Sequence, residues 1–257
     1  MFGINAWLRR MAKQPTRLPR IPDGVCVYAI GDVHGRRDLL ARLLVKIHVD
    51  VAVTEQRPIL VFLGDYVDRG PDSKGVIEMV RACVEAGSRA VALRGNHDQM
   101  LLDFCRDPAI YPSWRGFGAA ETLRSYGVEP PVSDTPVDLF AAQEAFVSAI
   151  PQSHLDFLHR LLFSHAIGDY FFAHAGVRPE VPLNHQAPHD LMWIRGDFLS
   201  SDEALEKVVV HGHTPAEEPV DLPNRICVDT GAYATNRLTA VVLSGQERRF
   251  LFADRRQ

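Results

Sequence analysis

Five short polar clusters punctuate the chain, each following a strand-like apolar run. They are Gly31-Asp32-Val33-His34-Gly35, Gly64-Asp65-Tyr66-Val67-Asp68-Arg69-Gly70, Arg94-Gly95-Asn96-His97-Asp98, His174-Ala175-Gly176 and His211-Gly212-His213-Thr214. Singly, each has an ordinary reading. Gly-Asp after a strand is a common turn, a loop histidine is usually satisfied by its neighbours, and Asn96-His97 can begin a helix. Jointly, Asp32, His34, Asp65, Asn96, His174 and His213 recur at successive strand ends, so one edge of the fold gathers them. Hard oxygen donors mixed with imidazoles suit Mn2+, Fe or Zn2+ better than Ca2+ or Mg2+ alone. The set exceeds the needs of one tetrahedral ion and points to two divalent metal ions. The flanking glycines allow sharp turns and close approach of the backbone to a phosphate.

The elements that must position these residues follow from the pattern. Val25–Ile30, Ile59–Leu63 and Ala90–Leu93 read as strands. Between them, Leu39, Leu40, Leu43, Leu44 and Ile47 mark one helix. Val76, Ile77, Val80 and Val84 mark another, with Ser73 as its expected cap. Residues 105–165 are broken by Pro108, Pro112, Pro130, Pro131, Pro136 and Pro151, with helical pieces near 118–126 and 137–149. Strand signals return at Tyr170–Ala173, Val208–Val210, Ile226–Val228, Leu238–Leu243 and Arg249–Phe252. The alternation predicts an α/β fold with polar residues at strand C-termini, where ligands bind in such folds. The expected organisation is a basic extension over residues 1–24, then one domain over 25–257 with a helical insertion at about 105–165.

Composition sets the bounds. The 257 residues are 46% hydrophobic and 23% charged, enough for a sizeable core. No apolar run approaches the ~20 residues that span a bilayer. The net charge is -4. Residues 1–24 hold five basic groups and one acid, which leaves a body of 23 basic and 31 acidic residues, net -8. An acidic body argues against nucleic acid as a partner. Only four of the 28 basic residues are Lys, a bias compatible with phosphate chemistry and equally with codon usage. Cys26, Cys83, Cys105 and Cys227 form no C-x-x-C pair and read as reduced thiols, which suits a cytoplasmic location. Phe2, Ile4, Trp7, Leu8 and Met11 could share one face of a short helix, though Pro15, Pro19 and Pro22 would end it quickly.

At GDVHG (31–35), GDYVDRG (64–70) and RGNHD (94–98) the chain resembles the metal-dependent phosphoprotein phosphatases of the calcineurin-like metallophosphoesterase superfamily. The later HAG and HGHT resemble that family's two metal-binding histidine blocks. Trp114 with Thr122-Leu123-Arg124-Ser125-Tyr126-Gly127, and Asp229-Thr230-Gly231-Ala232 with Arg237-Leu238-Thr239-Ala240, resemble segments of small bacterial members. Phe117-Gly118-Ala119 and Thr235-Asn236 depart from glycine pairs common there, and Asn tolerates positive φ. The resemblance implies a calcineurin-like metallophosphoesterase fold: a central β-sandwich flanked by helices, with a dimetal site at strand C-termini.

By the same resemblance, Asp32, His34 and Asp65 hold a first metal. Asp65, Asn96, His174 and His213 hold a second, most fittingly Mn2+, and a water bridging the two attacks phosphorus in line. Arg69 and Arg195 grip the phosphate with Asn96 and His97. His97 protonates the leaving alkoxide, and Asp98 orients His97. Asp68 has two readings, an orienting residue or a turn residue with a structural hydrogen bond. His48, His154, His159, His165, His185, His189 and His211 fall outside the pattern and receive structural roles. The implied activity is hydrolysis of phosphomonoesters, above all phosphoserine and phosphothreonine in proteins. The rivals are symmetrical diadenosine tetraphosphate hydrolysis, a broad phosphatase of small phosphoesters, and a noncatalytic binding module. The last predicts lost ligands, whereas every matched position is filled.

Overall fold

A computed structural model describes residues 18–87 and 89–254. The expected apolar face over Phe2, Ile4, Trp7, Leu8 and Met11 lies outside these residues. Two five-stranded sheets form the centre. In the first, β1 (Val25–Ile30) lies beside β2 (Arg57–Phe62), and β2 beside β3 (Ala90–Ala92), all parallel. The second sheet contains β4 (Ser164–Ile167), β5 (Tyr170–Ala173), β6 (Val208–His211), β7 (Val220–Asp221) and β8 (Arg225–Cys227). Its strands β5, β6 and β8 run parallel, with β4 and β7 as antiparallel edges. The antiparallel pair β9 (Arg237–Ser244) and β10 (Glu247–Asp254) completes the first sheet through β1.

The two-residue period of the strands decides what each face meets. From β1, Val25, Val27 and Ala29 point between the sheets, where they meet Val61, Tyr170, Phe172, Val208, Val210, Ile226 and Val241. The alternate residues Cys26, Tyr28 and Ile30 point outward to helix α1 (Arg37–Thr54), packing with Leu39, Leu40, Leu43 and Ile47. The strand is buried on both faces, which explains its unbroken apolar run. On the far side of the second sheet, Phe171, Ala173 and Val209 pack with Val177, Leu191, Ile194 and Phe198.

Helix α2 (Ser73–Glu85) follows β2, and α3 (Asn96–Arg106) follows β3. The insertion then supplies α4 (Tyr111–Arg115), α5 (Ala119–Ser125), α6 (Pro136–Ala149) and α7 (Gln152–His159), capped at its aromatic centre by Phe104, Tyr111, Trp114 and Phe146. The short helices α8 (Pro188–Trp193) and α9 (Gly196–Leu199) precede β6, and α10 (Ala232–Thr235) precedes β9.

Three details differ from the sequence reading. The cap of α2 is Asp72, whose carboxylate accepts from the Gly75 N–H, while the Ser73 hydroxyl accepts from the Asp68 N–H. The chain joins the body before residue 25. Ile21 is fully buried in the inter-sheet core and its N–H donates to Gly245 O, so the end of the basic extension is packed. The edge strands β4 and β7 carried no clear alternation and were not expected. No disulfide joins Cys26, Cys83, Cys105 or Cys227 among the described residues. Among the described residues no helix is long and apolar enough to cross a membrane.

Phe172 is fully buried between the sheets. Phe172→Ala should lower unfolding stability by about 3–5 kcal/mol, since it removes a large apolar group from a core that cannot fully collapse. The urea midpoint, at unchanged slope, measures this.

Candidate active site

Parallel strands within each sheet deliver their C-terminal ends to one edge. β1 ends at Gly31-Asp32, β2 at Gly64-Asp65, β3 before Gly95-Asn96, β5 at His174 and β6 at Gly212-His213. All six expected ligands are buried, each 5% exposed or less. Two glycines make the convergence possible. A Cβ at Gly95 would stand 2.0 Å from Asp65 Oδ1, and one at Gly212 would stand 2.0 Å from Asp32 Oδ1.

Asp65 is the centre. Its Oδ2 lies 3.6 Å from His34 Nε2, 3.4 Å from His174 Nε2 and 3.8 Å from His97 Nε2. Two groups of mutually close ligand atoms form around it, His34 with Asp65 and His97, and Asp65 with His174 and His213. Asn96 joins the second group, its Oδ1 3.0 Å from His174 Nε2 and 2.9 Å from His213 Nδ1.

The ring nitrogens facing the centre are set by what holds the opposite side. His34 Nδ1 donates to Val67 O at 2.8 Å, and His174 Nδ1 donates to Leu63 O at 2.9 Å. A carbonyl only accepts, so in the neutral rings Nε2 presents a bare lone pair inward. Lone pairs of two imidazoles, a carboxamide oxygen and a carboxylate thus converge, an arrangement that asks for a cation.

Asp32 lies outside both tight groups. Its Oδ2 accepts from the His213 N–H at 3.0 Å, and its buried Oδ1 has no partner. An orphaned carboxylate oxygen beside this cluster fits a missing positive ligand. The donor set therefore suits two cations that share Asp65.

The electrostatics agree. Burial pushes His34 down to about 3, and burial with neighbouring His174 pushes His213 down to about 2, so both rings are neutral. Burial opposes charge on His174, but Asp65 and Asp32 outweigh it and raise it to about 10. Burial and nearby Asp229 raise Asp32 well above the ordinary carboxylate range. The site is a concentration of negative potential that draws a positive charge inward.

His97 has a different partner from the one expected. Its Nδ1 donates to Asp68 Oδ2 at 2.7 Å, not to Asp98. Asp98 instead accepts from the backbone N–H groups of Asp65, Tyr66 and Gly95, so it fixes the Asp65 loop. The cause is helical geometry. His97 and Asp98 are adjacent on α3, and neighbouring helical residues do not face the same way. Asp68 is held in turn from the insertion, by Trp114 Nε1–H at 2.7 Å and by the Thr122 hydroxyl at 2.6 Å. Burial opposes a proton on His97, but Asp65 and Asp68 prevail and raise its pKa.

Arg69 Nη2 lies 3.4 Å from His97 Nε2, and its guanidinium makes no ion pair among the described residues. Arg195 is exposed and donates to Thr214 Oγ1 at 3.0 Å, one residue past His213. Two residues were missed. Asp229 follows β8 at the same edge, 2% exposed, its Oδ1 accepting from the Gly231 N–H. Its signal was present, because Ile226–Val228 leads into it as other strands lead into ligands. Tyr233 stands over Arg69 and had no signal in the motifs. His211 is buried against Phe198 and plays no part in the cluster.

A profile described as calcineurin-like phosphoesterase matches residues 27–245, and the chain belongs to that family. It is accordingly a metal-dependent phosphoesterase with a calcineurin-like metallophosphoesterase fold. It is 26% identical over 215 residues to serine/threonine-protein phosphatase 1 of Salmonella typhimurium, covering 83% of this chain and 89% of that one. It is 29% identical over 230 residues to the asymmetrical bis(5'-nucleosyl)-tetraphosphatase PrpE of Bacillus subtilis, covering 82% and 87%. A cold-active protein-tyrosine phosphatase of a Shewanella species shares the fold, with TM-score 0.52 and 18% identity over 90% of this chain and 83% of that one.

The geometry separates Asp68 from Asp98. Asp68→Asn should lower turnover of p-nitrophenyl phosphate about 10²–10⁴-fold with bound metal retained, because it impairs the proton donor alone. Asp98→Asn should lower metal content and melting temperature together, since it releases the Asp65 loop. Elemental analysis beside the rate assay distinguishes the two. Titration of the metal-stripped protein with Mn2+ should give two equivalents bound, and His213→Ala should bind about one.

Proposed function

We propose that this phosphoesterase hydrolyses phosphomonoesters, with phosphoserine and phosphothreonine in proteins as its principal substrates. One observation carries the reading. The His97–Asp68 pair stands beside the Arg69 guanidinium, which makes no ion pair among the described residues, at the rim of a paired set of candidate metal ligands. That is a proton donor and an anion-binding cation on one side of a charge-stabilising centre.

Asp32, His34 and Asp65 would hold one divalent ion, and Asp65, Asn96, His174 and His213 the other, with Mn2+ as the best match to the donors. Bound there, the ions would activate water and neutralise charge on the phosphoryl oxygens. The chain's own groups do the rest. Arg69 and Arg195 flank the site and bind phosphate oxygens through planar forks suited to two-point contacts. His97 carries a proton on Nε2 to the departing alkoxide, and Asp68 keeps the ring oriented through Nδ1. Asp98 serves at one remove, by fixing the loop that bears Asp65.

Support for a protein substrate comes from exposure. Arg195 is open to solvent and Tyr233 is 38% exposed at the rim, so a phosphate projecting from a large body can reach the centre. A second reading, hydrolysis of a dinucleoside tetraphosphate, draws on a cavity of ≈ 560 Å³ beside the site, lined by Arg36, Arg37, Arg69 and Tyr233 among others. It could receive further phosphates or a base.

A direct rate comparison decides between them. With Mn2+, a phosphoserine peptide should be hydrolysed faster than a phosphotyrosine peptide and faster than diadenosine tetraphosphate. If the dinucleotide is preferred by about tenfold or more in kcat/KM, the protein-phosphatase reading gives way to the second. His97→Asn should lose about 10²–10⁴-fold in turnover on the best substrate while keeping its metal. Normal turnover in that variant would remove His97 from the mechanism.

A further inference from the structure

Arg69 is gripped from two sides. On one side is Gly118 of the insertion, in a left-handed conformation with φ +97°. Its carbonyl accepts from the Arg69 N–H at 3.3 Å, and a Cβ there would stand 2.9 Å from Arg69 Cγ. On the other side is Tyr233, whose ring lies under the guanidinium with Cζ 4.4 Å from its centroid. The same ring meets His34 edge-on at 5.5 Å. Tyr233 therefore touches both a phosphate-gripping candidate and a metal-ligand candidate, although it sits on a four-residue turn far along the chain.

That turn is built to be rigid. Arg36 Nη1 donates to Ala232 O at 2.8 Å and to Asn236 Oδ1 at 2.9 Å, while its remaining nitrogens are held by Asp38. Asp229 Oδ1 accepts from the Gly231 N–H, and the Gly231 carbonyl accepts from Ala234 and Thr235. Asn236 adopts φ 60° and supplies the side-chain acceptor that a glycine in its place would lack.

An arginine side chain spends considerable rotamer entropy when it is fixed. Among the described residues no carboxylate reaches ion-pair distance of Arg69, and Asp229 acts on it only from farther off, so the guanidinium needs a neutral surface that holds it flat and leaves its charge for an anion. An aromatic face does both, because the ring attracts the cation without neutralising it.

We propose that Tyr233 is the positioning residue for Arg69: its ring face holds the guanidinium toward His97 and the phosphate site. The inference rests on reading Arg69 as a phosphate ligand. The contact belongs to the ring, and the hydroxyl is dispensable.

Tyr233→Ala should raise KM for p-nitrophenyl phosphate and Ki for inorganic phosphate by about three- to tenfold, with a smaller change in kcat. Tyr233→Phe and Tyr233→Trp should stay within about twofold of the parent, since each restores the ring face. Once Arg69→Ala is present, adding Tyr233→Ala should change neither constant further.

A second readout needs no turnover. The Arg69 Nε–Hε resonance, identified by its loss in Arg69→Lys, should be shifted by the ring in the parent and in Tyr233→Phe. It should move to the position of a free guanidinium in Tyr233→Ala. An unmoved resonance in Tyr233→Ala, unmoved KM and Ki, or a Tyr233→Phe as damaged as Tyr233→Ala each overturns the proposal. If Arg69→Ala itself leaves KM and Ki unchanged, the phosphate reading of Arg69 fails, and the resonance alone reports whether the ring positions it.

Discussion

The structure depends on keeping several ring nitrogens pointed at one carboxylate. Three imidazole nitrogens lie within 3.8 Å of Asp65 Oδ2, and Asn96 Oδ1 lies 3.0 Å from one of them, His174 Nε2, and 2.9 Å from His213 Nδ1. Buried acceptors facing one another repel and forfeit hydration. The arrangement persists because the opposite side of each ring is tied to something rigid. Leu63 O holds His174, Val67 O holds His34, and Asp68 holds His97. The first two anchors are backbone atoms at the end of β2 or just past it, so the strand sets the tautomer as well as the position of the ring. Two cations seated on this donor set would turn the mutual repulsion into coordination.

The backbone carries part of the cost. Seven described residues other than glycine have positive φ, and five of them, His34, Asp65, Asp68, Arg69 and His213, belong to the site. Such a conformation is uncommon for residues with a Cβ and stores strain that the surroundings must over-determine. Asp98 shows how. One buried carboxylate accepts from three backbone N–H groups and so fastens the turn that bears Asp65 to the start of α3. A residue expected to serve the chemistry directly serves the loop that holds the chemistry.

Much of this was legible in the sequence because each ligand follows a strand and each strand is a short apolar run. Within β1 the apolar run is unbroken, so its strand character was legible but not which face meets the second sheet and which meets α1. What the sequence hid has physical reasons. The edge strands β4 and β7 are short and lie partly in solvent, so no hydrophobic period marks them. Asp98 stood next to His97 in the chain, but one residue along a helix is a turn of about 100° away. Asp68, 29 positions earlier, is the spatial neighbour. Tyr233 lies in the gap between the segments 229–232 and 237–240, and its proposed role depends on a stacking contact that spacing cannot display. The arginine excess finds a structural use as well. Arg36, Arg94 and Arg225 are spent on backbone carbonyls that lock turns together, a task that a forked side chain performs better than lysine.

The functional groups divide by origin. The metal-ligand candidates hang from strands of the sandwich, whose positions are fixed by the buried core. The proposed proton donor and phosphate grip depend instead on residues 68 and 69, and these are braced by the insertion. Trp114 and Thr122 fill the lone pairs of Asp68, and Gly118 presses on the backbone and stem of Arg69. A change within α4 or α5 would therefore reach the leaving-group side of the reaction through Asp68 while leaving the strand-borne ligands in place. In the proposed mechanism the sandwich sets how the centre holds charge, and the insertion sets how a proton is handed across it.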